Sequence, residues 1–122
     1  MRIKYFIGII LIVGMVFAAA GCSRTEKYGK ELSASEITDM KEVLIAPEKF
    51  NGKTVKVEGK IVTECPTGCW FEFQQNGGIM YTEIESAGFA IPQRVGKKVI
   101  VEGEVSIRDK KPIIAGKGVE IK

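Results

Sequence analysis

Three cysteines, a single tryptophan and no histidine bound the chemistry open to this chain. Cys65 and Cys69 flank Pro66-Thr67-Gly68, a loop in which Gly68 suits the left-handed position of a bulged hairpin. Directly opposed residues of a non-hydrogen-bonded pair have Cα atoms about 4.5 Å apart, within reach of a disulfide. A structural bridge is therefore one reading of the pair. A second is a soft-metal site, in which two thiolates hold Cu(I) with help from a thioether or a second chain. Zinc suits the sequence less, because it asks for four ligands and there is no histidine. A third reading, a reactive thiol pair, needs a lowered thiol pKa, and neither Lys60 nor Lys122 is placed by sequence to supply it. Glu64 and Glu72 sit near the hairpin, where strand carboxylates are usually solvated.

Four aromatic residues lie on the two strands after the cysteines: Trp70, Phe71, Phe73 and Tyr81. On a strand, alternate side chains face opposite ways, so Phe71 and Phe73 share one face and Trp70 takes the other. We expect the phenylalanines in the core and Trp70 and Tyr81 outside, as a platform on which bases or sugar rings stack. The competing expectation is that both rings pack under the crossing segment through Phe89 and Pro92. Without histidine no Ser-His-Asp or Cys-His catalytic set exists, and no glycine-rich phosphate loop occurs. Glu58 and Glu102 recur in similar strands, but their lysine neighbours suggest exposed ion pairs rather than an acid/base couple. The expectation is a non-catalytic domain with no cofactor.

These side chains must be positioned by short elements. Ser33-Ala34-Ser35-Glu36 has a capping-box spacing, and Ile37, Met40, Val43 and Leu44 follow at helical intervals. The helix should stop at Ala46, because Pro47 disfavours the α conformation in the residue before it. Thr54 to Thr63, Cys69 to Gln74, Ile79 to Ile84, Lys97 to Ile107 and Pro112 to Ile121 read as five strands. Asn76-Gly77-Gly78 marks a hairpin between the second and third, and Asp109-Lys110-Lys111-Pro112 a turn between the fourth and fifth. Ala87 to Gly96 is a crossing segment. The stretch Gly52 to Ile61 echoes Gly96 to Val105, each with a glycine in mid-strand. Such glycines permit the bulge or sharp coil by which a small barrel turns its corners.

Five strands with a bent first and fourth resemble the OB fold, a Greek-key barrel preceded here by one short α-helix. The run Pro47 to Gly59 is similar to the lead-in of small bacterial envelope proteins of that fold. Val57-Glu58-Gly59, Cys65-Pro66-Thr67-Gly68-Cys69-Trp70, Gly88-Phe89-Ala90-Ile91-Pro92 and Gly96 to Gly103 resemble an uncharacterised family with a Cys…Gly-Cys-Trp hairpin. That resemblance covers about Val55 to Val105 and implies a fold, with no assigned activity. Ala90 stands where the family tends to have an aromatic residue, and the cysteine spacing is shorter.

The compartment comes from the N-terminus. Arg2 and Lys4 precede an apolar run from Tyr5 to Phe17, which ends in Ala18-Ala19-Ala20-Gly21-Cys22. Basic start, apolar stretch and small-residue exit make a signal peptide. The run is short for a membrane span of about 20 residues. Ala19-Ala20-Gly21-Cys22 resembles the lipobox of bacterial lipoproteins, which implies cleavage after Gly21 and a diacylglycerol on Cys22. The organisation expected is 1–21 signal peptide, 22–33 flexible tether and 34–122 OB-type domain. Losing Arg2 and Lys4 reduces 18 basic residues to 16 against 15 acidic ones, a net charge of +1. A near-neutral domain lacks the dense basic face that binds a phosphate backbone, so nucleic acid is an improbable ligand. The expected partners are the membrane, through the lipid, and an envelope protein or oligosaccharide. Ser23 in place of aspartate resembles the outer-membrane sorting signal of lipoproteins in two-membrane bacteria, which implies the periplasmic face of the outer membrane in such a host. Otherwise the location would be the outer face of the cytoplasmic membrane.

Overall fold

The structure, a computed structural model, describes residues 24–122. The expected signal segment and the lipidation at Cys22 lie outside the described residues. The elements in chain order are β1 (Glu26–Gly29), α1 (Met40–Ile45), a 3-10 turn (Pro47–Lys49), β2 (Thr54–Glu64), β3 (Trp70–Gln75), β4 (Gly78–Glu83), a 3-10 turn (Glu85–Ala87), β5 (Lys98–Arg108) and β6 (Lys111–Ile121). The ladder runs β5-β2-β3-β4-β6 and closes through β6 against β5, all antiparallel except β4 with β6. This is the expected five-stranded OB-type barrel, with one short helix.

The barrel interior follows the period-2 pattern. Val55, Val57 and Ile61 of β2, Phe71 and Phe73 of β3, Met80 of β4, Val99, Val101 and Val105 of β5, and Ile114, Val119 and Ile121 of β6 are buried together. Met40 and Val43 of α1 join the same cluster, so the helix is held by its apolar side rather than by intrinsic stability, which six residues could not supply.

The mid-strand glycines have distinct reasons. A β-carbon on Gly59 would lie 2.8 Å from the Phe73 ring and 2.6 Å from the Gln74 carbonyl oxygen, so Gly59 makes room for a core aromatic. Gly103 sits beside a register shift: Glu102 pairs with Gly118 and Gly103 with Gly116, which leaves Lys117 as an extra residue in β6. That bulge coils the β5–β6 pair around the barrel.

Two expectations about the N-terminal region are corrected. The segment 22–33, expected as a flexible tether, contributes strand β1, which pairs with β6 from Glu26–Ile121 to Gly29–Gly118. β4 pairs only with Ile113 to Ala115 of β6, and β1 covers the further stretch of that edge, whose peptide groups would otherwise be unpaired. The helix, expected to be capped at Ser33, instead begins at Met40 behind Asp39, whose carboxylate accepts the Lys41 N–H at 3.0 Å. Ser33 and Ser35 are occupied elsewhere. The Ser33 hydroxyl donates to Glu102 at 2.5 Å, and Lys56 Nζ donates to the carbonyls of Ser33 and Ser35. With Thr38 N–H on the Lys56 carbonyl at 2.7 Å, residues 33–38 are held along the sheet and cannot coil. Ile37, expected on the buried face, is 46% exposed. The helix does end where expected, one residue short of Ala46-Pro47.

This docking depends on pH. Burial works to raise the Glu102 carboxyl pKa, but the hydrogen bonds from Ser33 and the charge of Lys56 outweigh it and the pKa lies below the ordinary 4.5. A depressed carboxylate contributes stability above its unfolded pKa and loses it as pH falls through the folded value. Amide exchange at residues 33–38 should therefore accelerate relative to the barrel core as pH drops below about 4.5. Equal protection of this segment at pH 3 and pH 7 would overturn that account.

Candidate functional site

The outer face of β3 and β4 is built by the same alternation that fills the core. With Phe71, Phe73, Met80 and Thr82 inward, Trp70 and Glu72 of β3 and Ile79 and Tyr81 of β4 point out. The register sets Glu72 opposite Tyr81 and Trp70 opposite Glu83, so Trp70 and Tyr81 are diagonal neighbours. Their rings stack with centroids 5.5 Å apart at 29° between planes. Both remain half-exposed. Phe89 of the crossing segment packs against the core from elsewhere, and its ring would be 2.6 Å from a β-carbon on Gly29.

Beside Tyr81 the surface opens into a groove of about 730 Å³. Leu44, Ile79, Tyr81, Pro112 and Ile113 supply its apolar lining. Glu72 and the β5–β6 turn, with Arg108, Asp109, Lys110 and Lys111, supply the polar one. Burial raises the Tyr81 hydroxyl pKa above 10, and the nearby charge of Arg108 opposes it, so the phenol is protonated at neutral pH and able to donate a hydrogen bond. Glu83, at the end of β4, accepts the Ser86 hydroxyl at 2.6 Å and N–H at 2.8 Å. The hydroxyl hydrogen bond above all holds its carboxyl below 4.5. The site thus offers an aromatic wall, an apolar floor and charged groups of both signs.

Sequence alone gives the groove residues of the β5–β6 turn no site role. Their composition reads only as a turn. The available signal was topological: in an OB barrel the loop between the last two strands borders the ligand face. The turn itself is strained. Asp109 (φ 52°) and Lys110 (φ 66°) are both left-handed, as in a type I′ hairpin, whereas the β3–β4 turn uses Asn76 (φ 48°) and Gly77 (φ 83°). Lys110→Gly should raise stability by about 0.5–1 kcal/mol, the relief of strain less the added freedom of the unfolded chain. Thermal unfolding would read it, and a lowered midpoint would show that the lysine side chain contributes more than its backbone costs.

Cys65 and Cys69 lie at the opposite border of the strand pair, with sulfurs within bonding distance and Cα atoms 5.7 Å apart. They are not directly opposed, as the hairpin reading expected. β2 and β3 pair as Lys60–Gln74 and Ile61–Phe73, then shift to Thr63–Glu72 and Glu64–Phe71. Val62 is the extra residue. The shift sets Cys65 against Trp70, whose carbonyl accepts the Cys65 N–H at 2.9 Å, and Cys69 falls one place into the loop. The crossing segment ties that loop down: Ile91 N–H donates to the Gly68 carbonyl at 3.2 Å, and Gln93 Nε2 to the carbonyls of Cys65 and Pro66 at 3.1 Å. Among the described residues no group of three cysteine, aspartate or glutamate side chains is gathered as for a metal. Glu64 accepts the Arg94 N–H instead, and Lys60 and Lys122 are exposed. Closing so short a loop limits the unfolded chain only modestly, so Cys65→Ser with Cys69→Ser should lower unfolding free energy by about 2 kcal/mol. Urea unfolding with and without reductant checks this, and wild type insensitive to reductant would contradict it.

No helix among the described residues is long and apolar enough to cross a membrane. No family model matches the chain, nor does any curated protein. Among solved structures it is similar to the hypothetical protein ygiW from E. coli, with a TM-score of 0.57 and 17% identity, over 78% of this chain and 99% of that one. A likeness of that kind, at that identity, is one of fold: both chains carry the OB-type barrel.

Proposed function

We propose that this chain is a lipid-anchored protein of the bacterial cell envelope, related to the family with the Cys…Gly-Cys-Trp hairpin. Its barrel acts as a non-catalytic binding module that takes a protein or glycan partner on the outer face of β3 and β4. The observation that carries the reading is the stacked Trp70–Tyr81 pair, half-exposed at the edge of the groove. Paired rings present a rigid apolar surface at little entropic cost, and a ring or an extended segment laid on them gains roughly 1–3 kcal/mol per aromatic contact. The anchorage rests on the signal pattern of residues 1–21 and on Cys22. Fold alone carries no function, so the test is made at the face itself.

A photoreactive amino acid placed at Ile79, which is 51% exposed beside the groove, should form a discrete adduct in intact cells. The same substitution at Lys53, in the turn before β2, should not. Trp70→Ala and Tyr81→Ala should each weaken the adduct about tenfold or more. Adducts of equal yield from both positions would sink the proposal.

A further inference from the structure

The barrel has a second feature, at the end where β1 begins. Glu26 opens β1 and pairs with Ile121, Lys122 N–H donates to the Lys98 carbonyl at 2.9 Å, and Lys98 lies across from Lys60 on β2. The segment before β5 closes over the same end, with Lys97 N–H on the Arg94 carbonyl at 3.1 Å and the Lys97 carbonyl accepting from Ile61 at 3.0 Å. Lys60, Arg94, Lys97, Lys98 and Lys122 therefore converge from three strands and one loop. Three acids lie within the cluster: Glu26 on Arg94 at 2.9 Å, Glu58 on Lys98 at 3.6 Å, and Glu64, which accepts the Arg94 N–H. Among the described residues no ion pair engages Lys60, Lys97 or Lys122, and all three are exposed. Between Arg94 and Lys97 stands Val95, a large apolar side chain 59% exposed.

We propose that this end of the barrel rests on an anionic lipid surface, Val95 and the lysines toward the headgroups, with the groove between Tyr81 and the β5–β6 turn facing away from the membrane. The proposal takes the anchorage at Cys22 from the reading above. Cys22 and Glu26 are four residues apart, so the lipidated residue and the first strand lie within about 14 Å even if the chain between them is fully extended. An anchor that short leaves no room for a tether. It holds the adjoining end of the barrel near the one to two screening lengths (each about 8–10 Å) over which headgroup charge is felt. The lysines meet that charge, and one exposed apolar residue among basic ones suits the polar-to-apolar boundary. The β5–β6 turn that borders the groove is at the far end of the same hairpin, ten residues or roughly 33 Å of strand from Lys98. Docking in this orientation presents the groove to soluble or wall-borne partners. A patch that were merely solvated would give no fixed orientation.

The test uses the full chain, processed in a bacterial host, extracted from membranes and placed in vesicles of phosphatidylcholine with roughly one third phosphatidylglycerol. Val95→Trp and Lys110→Trp are compared with wild type for quenching by brominated lipid chains. The tryptophan at 95 should be quenched, less so in phosphatidylcholine alone or in about 0.5 M salt, and the one at 110 should not. K97Q/K98Q/K122Q should remove the dependence on phosphatidylglycerol. Equal quenching at 95 and 110, or none at 95 on anionic vesicles, overturns the proposal. Intact mass separates it from the anchorage reading. If Cys22 carries no lipid, the anchorage falls, and co-sedimentation of the same chain with these vesicles still reads the patch. Association lowered on the order of 100-fold by the triple substitution supports it, and association left unchanged overturns it.

Discussion

Phe73→Ala should lower the unfolding free energy by about 4 kcal/mol and the thermal midpoint by roughly 20 °C. The ring is fully buried and lies over Gly59 in the middle of β2. It lies across from Ile61 on β2 and Met80 on β4, its centroid is 5.9 Å from that of Phe71, and Gly59 is vacant of side chain to admit it. Neighbours on three sides are backbone or fully buried side chains, so the space left by truncation cannot collapse. Lost transfer energy and a residual cavity then add. A domain of this size has only about 5–15 kcal/mol in all, so the variant would be near the limit of folding. Urea unfolding followed by Trp70 fluorescence would measure it, and a loss below about 1 kcal/mol would mean that the barrel is not packed around this ring.

Gly68→Ala should cost about 3 kcal/mol, from two sources that a control can separate. Gly68 is left-handed (φ +74°), and a β-carbon there would lie 2.0 Å from the Ile91 carbonyl oxygen. That oxygen belongs to backbone, which can yield only by lifting the crossing segment away from the Cys65–Cys69 loop. Gly52 has a similar φ of +78° with nothing within 4 Å of its would-be β-carbon. Gly52→Ala should therefore show the conformational term alone, about 1 kcal/mol. The difference between the two variants measures the packing of loop on segment. Because Trp70 follows Cys69 directly, Gly68→Ala should also disturb the near-UV signal of the Trp70–Tyr81 stack, and Gly52→Ala should not. Equal destabilisation by the two substitutions would remove the close approach from the account.

Both predictions rest on features visible in the sequence only in part. Gly59 and Gly103 read as places where a strand must bend; a register shift falls at Gly103, whereas that of β2 falls at Val62 and Gly59 makes room for Phe73. What each one meets, a phenylalanine ring in one case and the backbone of Ala115 and Gly116 in the other, depends on which strand arrives opposite, and pairing partners are distant in sequence. The cysteines show the same limit. Their spacing alone sets them across from each other, but the extra residue at Val62 moves the register by one, and nothing in the β-branched run around Val62 marks it as the bulge. Ser33 to Glu36 has the composition of a helix cap. Its polar groups find Glu102 and Lys56 instead, bonds that a helix extended back to Ser33 would forfeit, and Ile37 is left 46% exposed.

Local chemistry by itself determined the strand positions, the Asn76-Gly77 hairpin, the stop before Pro47 and the division of Phe71 and Phe73 from Trp70. Alternation, left-handed turn residues and the proline clash act within a few residues and need no partner. Only the tertiary structure decided that Glu26–Gly29 joins the sheet, that Trp70 and Tyr81 meet as diagonal neighbours, and that the β5–β6 turn walls the groove beside them. Those arrangements follow from closure of the barrel: closing the ring sets β4 parallel to β6, and where β4 leaves β6 its edge is open for β1. Closure is a property of all the strands at once, and no single stretch of sequence carries it.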